Sequence, residues 1–300
     1  MRQFRAARHL VVAVAAALPV ALAHAQQPAP AAPAAQPPQR TPRQDSIRAA
    51  NRLDSEGRYA EARAMFGALM RSAPDEAAKA AMHRAIAMSY AFEGNCRETV
   101  RHEMMVIDYW KTREAAEPQN AFYQQGEMAN EAARVCIDQG DLKEAERLYR
   151  LGQELGNKEP EPRTHPASLW AYRTEHAMAR LAARRGDARR AQEHVAKAKA
   201  ILDADTVMAK DQRRFFPYLE GYVLLYTKQL PAAEAKLRET IATRGNDGDP
   251  FFHYLLGEAL EQQGKKDEAM AMYRKAHDLA TSHNPPAAFT RPAARKKLGL

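Results

Sequence analysis

The sequence predicts an all-α protein, a solenoid of about six helical hairpins with a C-terminal capping helix. Two observations carry this. Between Pro250 and Ala276, His253, Gly257 and Leu260 fall at i, i+4 and i+7, and Ala269, Tyr273 and Ala276 repeat that helical spacing after Gly264. The same glycine-centred turn then recurs upstream, at 57, 94, 140, 186 and, without glycine, 228, so the intervals along the chain are 37, 46, 46, 42 and 36 residues. One hairpin cannot bury its apolar face alone, so a series of them implies stacking.

The elements follow in order. Residues 1–25 read as a secretory signal: Arg2, Arg5 and Arg8 precede an apolar run from Leu10 to Leu22, and Ala23-His24-Ala25 is a small-x-small cleavage site. The run is short for a membrane span of about 20 residues, so cleavage after Ala25 is expected over a retained anchor. No Cys follows the site, which argues against a lipid anchor, and no other window is apolar enough to span a membrane. Residues 26–43, rich in Pro, Ala and Gln, read as a disordered tether. The solenoid is assigned to residues 44–283. Its first hairpin runs from about Gln44 to Ser72, and Met82, Ile86 and Tyr90 open the second, which continues through Val100, Met104 and Ile107. Glu117-Pro118-Gln119-Asn120 interrupts the helices before a third pair at 121–155. A loop punctuated by Asn157, Pro160, Pro162 and Pro166 leads to an Arg-rich fourth pair at 167–202. The fifth pair is expected from Lys210 to Thr243, and Gly245 to Pro250 is a turn before the sixth. Residues 284–300 read as a basic helix whose Phe289 and Leu298 cover the open end of the stack.

The copy at 250–283 resembles the tetratricopeptide repeat, a unit of about 34 residues. It matches that family's pattern at Leu256, Gly257, Ala269, Tyr273 and Ala276 and departs from it at His253, Leu260 and Thr281. The copy near 43–76 keeps Gly57, Tyr59, Ala62, Phe66 and Pro74 but has a polar first helix. The resemblance implies a right-handed α-solenoid that offers a binding surface rather than an active site, and it leaves the partner unnamed.

Only two cysteines occur, Cys96 and Cys136, on helices that a stacked solenoid makes neighbours. An exported chain meets an oxidising compartment, so a Cys96–Cys136 disulfide is one expectation. The other is two separate small core residues. Neither a CxxC nor a Cys/His cluster with metal spacing is present, so no metal or other cofactor is expected. His102-Glu103 lacks the second His of a metalloprotease helix, and no nucleophile elbow or phosphate-cradling glycine loop appears. The scattered histidines, His283 and His253 among them, are expected to be surface or packing residues. A non-enzyme is expected.

The formal charge of +8 falls to +5 once Arg2, Arg5 and Arg8 are removed. Export argues against nucleic acid as partner and leaves proteins, or anionic polymers and lipid of a cell envelope. The resemblance implies that the first helix of each hairpin lines a concave face. Its candidates are Asn130 and Arg134 in hairpin three, then Arg173, His176, Arg180 and Arg184 as one stripe in hairpin four. Phe215, Tyr218, Tyr222 and Tyr226 form a stripe in hairpin five, with Phe251, Tyr254 and Glu258 in hairpin six. Arginines beside rings would grip an extended peptide. The plainer alternatives are a solvated Arg face and a Tyr/Phe stripe packed as core. On the grip, replacing Arg173, Arg180 and Arg184 with Ala weakens capture and leaves the melting temperature unchanged. The expected protein is a periplasmic or secreted, non-catalytic adaptor for an unidentified protein or peptide. The alternative is an envelope-biogenesis accessory that binds anionic polymer or lipid through its basic face.

Overall fold

The computed structural model describes residues 40–300. The expected signal segment, and the tether up to residue 39, lie outside the described residues. Six helical hairpins follow one another. They pair α1 (Pro42–Ser55) with α2 (Tyr59–Arg71), α3 (Glu76–Glu93) with α4 (Cys96–Lys111), and α5 (Pro118–Gln139) with α6 (Leu142–Gly156). Next come α7 (Leu169–Arg184) with α8 (Ala188–Ala204), α9 (Thr206–Gln212) and α10 (Phe216–Tyr226) with α11 (Leu230–Ala242), and α12 (Pro250–Gln262) with α13 (Lys266–Leu279). A last helix, α14 (Pro285–Leu298), ends the chain.

Local chemistry sets these boundaries. The tether expected to run to residue 43 stops sooner, because Pro42 enters the first turn of α1 and Thr41 caps it in a reciprocal capping box with Gln44. Between the arms of hairpins two, three and four, a glycine in the left-handed region is followed by a capping Asn or Asp. At Gly140, φ is 86°, and the Asp141 side chain accepts from the Glu144 N–H at 3.1 Å. Asn95 and Asp187 cap α4 and α8 in the same way. Hairpin five lacks the glycine, and Lys228 itself takes a φ of 64°. The helix expected to start at Lys210 is broken. Residues Arg213–Phe215 form a single 3-10 turn between α9 and α10. Pro217 is the reason, since it has no N–H to donate and its ring would clash with a continuous helix.

The first helices lie inside and carry most of the buried surface, as α5, α7 and α12 each show along nearly their whole length. The hairpins wind so tightly that distant ones meet. Met88 and Phe92 of α3 share one apolar cluster with Tyr222 of α10, Phe252 of α12 and Phe289 of α14. The last helix, α14, covers the final hairpin and reaches further. It does not merely cover an end of the stack. It lies within the superhelix, packed on α3, α5 and α12 as well as on α13.

Polar groups close this ring. Asp54 of α1, 1% exposed, accepts from Ser89 Oγ at 2.7 Å and faces His283 Nε2 at 2.8 Å. The His283 ring sits 5.6 Å from both Phe66 and Phe92. Arg291 and Arg295 donate to the carbonyls of Ser55 and Glu56, at the end of α1. Serine, aspartate and histidine meet here, but serine and histidine both turn to the aspartate and not to each other. A nucleophile needs its base within hydrogen-bond reach. This cluster is a clasp between the two ends of the described chain.

The sulfur atoms of Cys96 and Cys136 are joined, with their Cα atoms 4.9 Å apart. The bond ties the start of α4 to the end of α5. No helix among the described residues is long and apolar enough to cross a membrane.

Candidate functional site: a chamber on the concave face

The concave face is not an open trough, because α14 and the inner side chains fill most of it. What remains is a half-open chamber of about 330 Å3 walled by α5, α7, α10 and α12, with Tyr149 from α6 and Pro285 and Pro286 from α14 also lining it. Four of the basic candidates line it: Arg134, Arg173, His176 and Arg180. Tyr218 lines it too, with Asn130 and Phe215.

Arg180 is the centre of the site. It is 7% exposed, and its donors go to uncharged oxygens. Nη2 donates to Tyr149 Oη at 3.0 Å, Nη1 to Tyr218 Oη at 3.5 Å, and Nε to the His176 carbonyl at 3.4 Å. Arg173 sits at the rim, paired with Glu127 and stacked 4.8 Å from the Trp170 ring. Burial pushes the His176 imidazole well below its usual pKa, with Arg180 and Arg134 adding to the effect, so the ring is neutral. Burial raises the Asp249 carboxyl, which also caps α12 by accepting from the Phe251 N–H at 2.9 Å.

Arg184, Tyr222, Tyr226 and Tyr254 do not line the chamber. They form an inner cluster beside it. Arg184 donates to Tyr222 Oη and to the Asp138 carbonyl, each at 3.4 Å, and stacks 4.8 Å from the Tyr226 ring. Tyr254 donates to Glu258 at 3.2 Å. Burial pushes the Asp138 carboxyl up to about 6, against the pull of Arg184. Tyr218 and Tyr222 are themselves buried, 6% and 2% exposed, so the aromatic stripe is mainly packing between hairpins. The arginine stripe is not a solvated face either. Arg180 and Arg184 each bridge hairpins through buried tyrosines, so replacing them with Ala removes structural contacts, and an unchanged melting temperature is no longer expected.

Other wall residues were not among the candidates. Glu127 and Glu131 share a face of α5 with Asn130 and Arg134 at i, i+3, i+4 and i+7, so the helical spacing rule applied to α5 reaches them. Tyr149 comes from an outer helix and escapes a rule that reads only first helices. Gln212 enters from the end of α9, ahead of the break that Pro217 makes.

Behind the wall, Glu103 is fully buried, with neither carboxylate oxygen hydrogen-bonded. Burial raises its pKa well above 4.5, and the neighbouring Glu131 raises it further. Glu131 in turn pairs with Arg84 at 2.7 Å. A raised folded-state pKa means that the stability contribution of Glu103 is fully present below the unfolded-state value and is lost as pH rises through the folded one. Glu103→Gln keeps the shape and removes the ionisation. It should stabilise the protein at pH 7 by on the order of 2 kcal/mol and have little effect at pH 4, as read from denaturant melts at both pH values.

Inner helices that wall a chamber while outer helices face away define a helical-hairpin repeat protein with a recessed concave site. Family models of the tetratricopeptide repeat match residues 250–283 and residues 131–150. The first match covers α12 and α13, and the second spans the turn at Gly140. The chain thus carries tetratricopeptide-repeat units at these two stretches. No curated protein matches it.

Proposed function

We propose that the protein is an exported, non-catalytic adaptor that receives a segment of a partner protein at the rim of the concave chamber. The repeat family supports protein partners, and the observation that carries the location is the chamber on the inner helices, with Arg173 and Glu127 at its rim. The basic signal-like leader supports export to the periplasm or beyond.

The alternative, anionic polymer or lipid bound through the basic C-terminal helix, draws less support from the contacts of α14. Arg291 and Arg295 are spent on carbonyls of α1 and its turn, and Lys297 pairs with Glu261. A cation held by the protein's own acceptors is a poor ligand for a polymer.

A photo-reactive residue placed at Gln124, one helical turn before Glu127 on α5, and in a second variant at Lys197 on the exposed outer face, tests the adaptor in whole cells. One protein adduct from position 124, absent from position 197, is the expected outcome. No adduct, or the same adducts from both faces, overturns the concave location.

A further inference from the structure

We propose that the chamber binds a small organic monocarboxylate with a flat apolar body, gripped by Arg180 and Arg134. This goes beyond the adaptor reading, because it needs no protein partner.

The first argument is unbalanced charge. Arg180 is buried and makes no ion pair among the described residues. Its three recorded hydrogen bonds end on two tyrosine hydroxyls and a carbonyl. A guanidinium has five N–H donors in a planar fork, so donors remain. A buried charge is costly unless it is paired. Arg134 lines the same chamber and also lacks an ion pair among the described residues. Its guanidinium lies 5.9 Å from the Phe289 ring centre, and the one wall carboxyl that feels its charge, Asp249, does so without a direct ion pair.

The second argument is that the acids of the wall are committed. Glu127 pairs with Arg173, and Glu131 with Arg84. Asp249 caps α12. Two cations are therefore left for a ligand, and a carboxylate matches the fork of a guanidinium in two parallel hydrogen bonds. The same three acids repel additional negative charge. Phosphate and other multiply charged anions fit this wall less well than a single carboxylate.

The third argument is shape. Phe215, Tyr218 and Phe252 line the chamber with rings, and Pro285 and Pro286 add apolar wall. These surfaces suit a flat apolar body. A volume of about 330 Å3 lies at the small end of ligand pockets, which run from about 300 Å3 upward, so the ligand is compact.

The test is calorimetric titration of the full chain with phenylacetate, with phenethylamine, which has a similar body and the opposite charge, and with inorganic phosphate. The expected result is one saturable phenylacetate site per chain, with neither control binding there. Arg134→Gln should weaken phenylacetate about tenfold or more while the ligand-free melting temperature stays near the parent value. Arg134→Lys, which keeps the charge and loses the fork, should fall between the two. The proposal is overturned if phenylacetate shows no saturable binding up to about 10 mM, if phenethylamine or phosphate binds as well, or if the Arg134 variants bind like the parent. The comparison of carboxylate, amine and phosphate on the unaltered chain decides the matter even if a variant fails to fold. It is also independent of the cross-linking experiment, so ligand site and adaptor role stand or fall separately.

Discussion

Trp170→Ala should cost about 3–5 kcal/mol, the range for removing a fully buried large aromatic side chain. Trp170 is 1% exposed and stands at the first turn of α7. Its ring lies against two glycines of the preceding hairpin. A methyl group on Gly126 would come within 2.7 Å of Trp170 Cζ2, and one on Gly156 would fall inside the indole. The indole is thus a wedge fitted to the missing side chains of α5 and α6. The reciprocal substitution makes the argument specific. Gly156→Ala adds only one carbon at a helix end, yet it should destabilise by about 1–3 kcal/mol or more, because the ring has no space to move into. Denaturant melts followed by circular dichroism measure both. If Gly156→Ala melts like the parent, the ring is not seated as described. The consequence extends to the chamber, since the wedge sets α5 and α6 against α7. Those helices carry Arg134, Tyr149 and Arg180, so Trp170→Ala should also loosen whatever the chamber binds.

The same residue shows which parts of the architecture the sequence makes legible. Hairpins are local objects. Gly140-Asp141 and Gly186-Asp187 combine a left-handed turn with a helix cap in two adjacent residues, and such signals survive without knowledge of the rest of the chain. The wedge is not local. Trp170 meets Gly126 across 44 positions, and nothing in the spacing of either residue names the other. The clasp is further removed still, because Asp54 and His283 are 229 residues apart and meet only once six hairpins have wound round. Reading His283 as a packing histidine is correct in kind but has no way of finding its partner.

The chamber falls between these extremes. Arg173, His176 and Arg180 are legible as one stripe, since helical spacing alone places them together. What faces them depends on superhelical winding, and α14 fills much of the groove that they would otherwise overlook. Arg180 and Arg184 illustrate the limit. Identical in type and four residues apart, they part company because Tyr149 and Tyr218 hold the first at the chamber while Tyr222 and Asp138 hold the second beside it.

Removing the Cys96–Cys136 bond should cost about 4 kcal/mol, the chain-entropy value for a loop of this length. The bond spans 40 residues. In the unfolded chain it forbids the extended conformations of that loop, and its loss restores them. Cys96 begins α4, and Cys136, fully buried, belongs to the cluster that joins α5 and α6 to α7. A Cys96→Ala/Cys136→Ala pair is the cleaner variant, since one substitution alone would leave a reactive thiol in or near that cluster. For a domain of this size, about 4 kcal/mol corresponds to a fall in melting temperature of roughly 10 °C. Reduction of the unaltered protein should give a fall of the same size, and the double variant should then be indifferent to reductant. Thiol titration of the denatured, unreduced protein checks the premise, because two titratable thiols per chain would show that the bond is absent. An intact bond with no stability loss in the double variant would instead place the stabilisation in packing. In either case, α5 carries Glu127, Glu131 and Arg134, so the effect of reduction on chamber binding reports whether this wall depends on the bond.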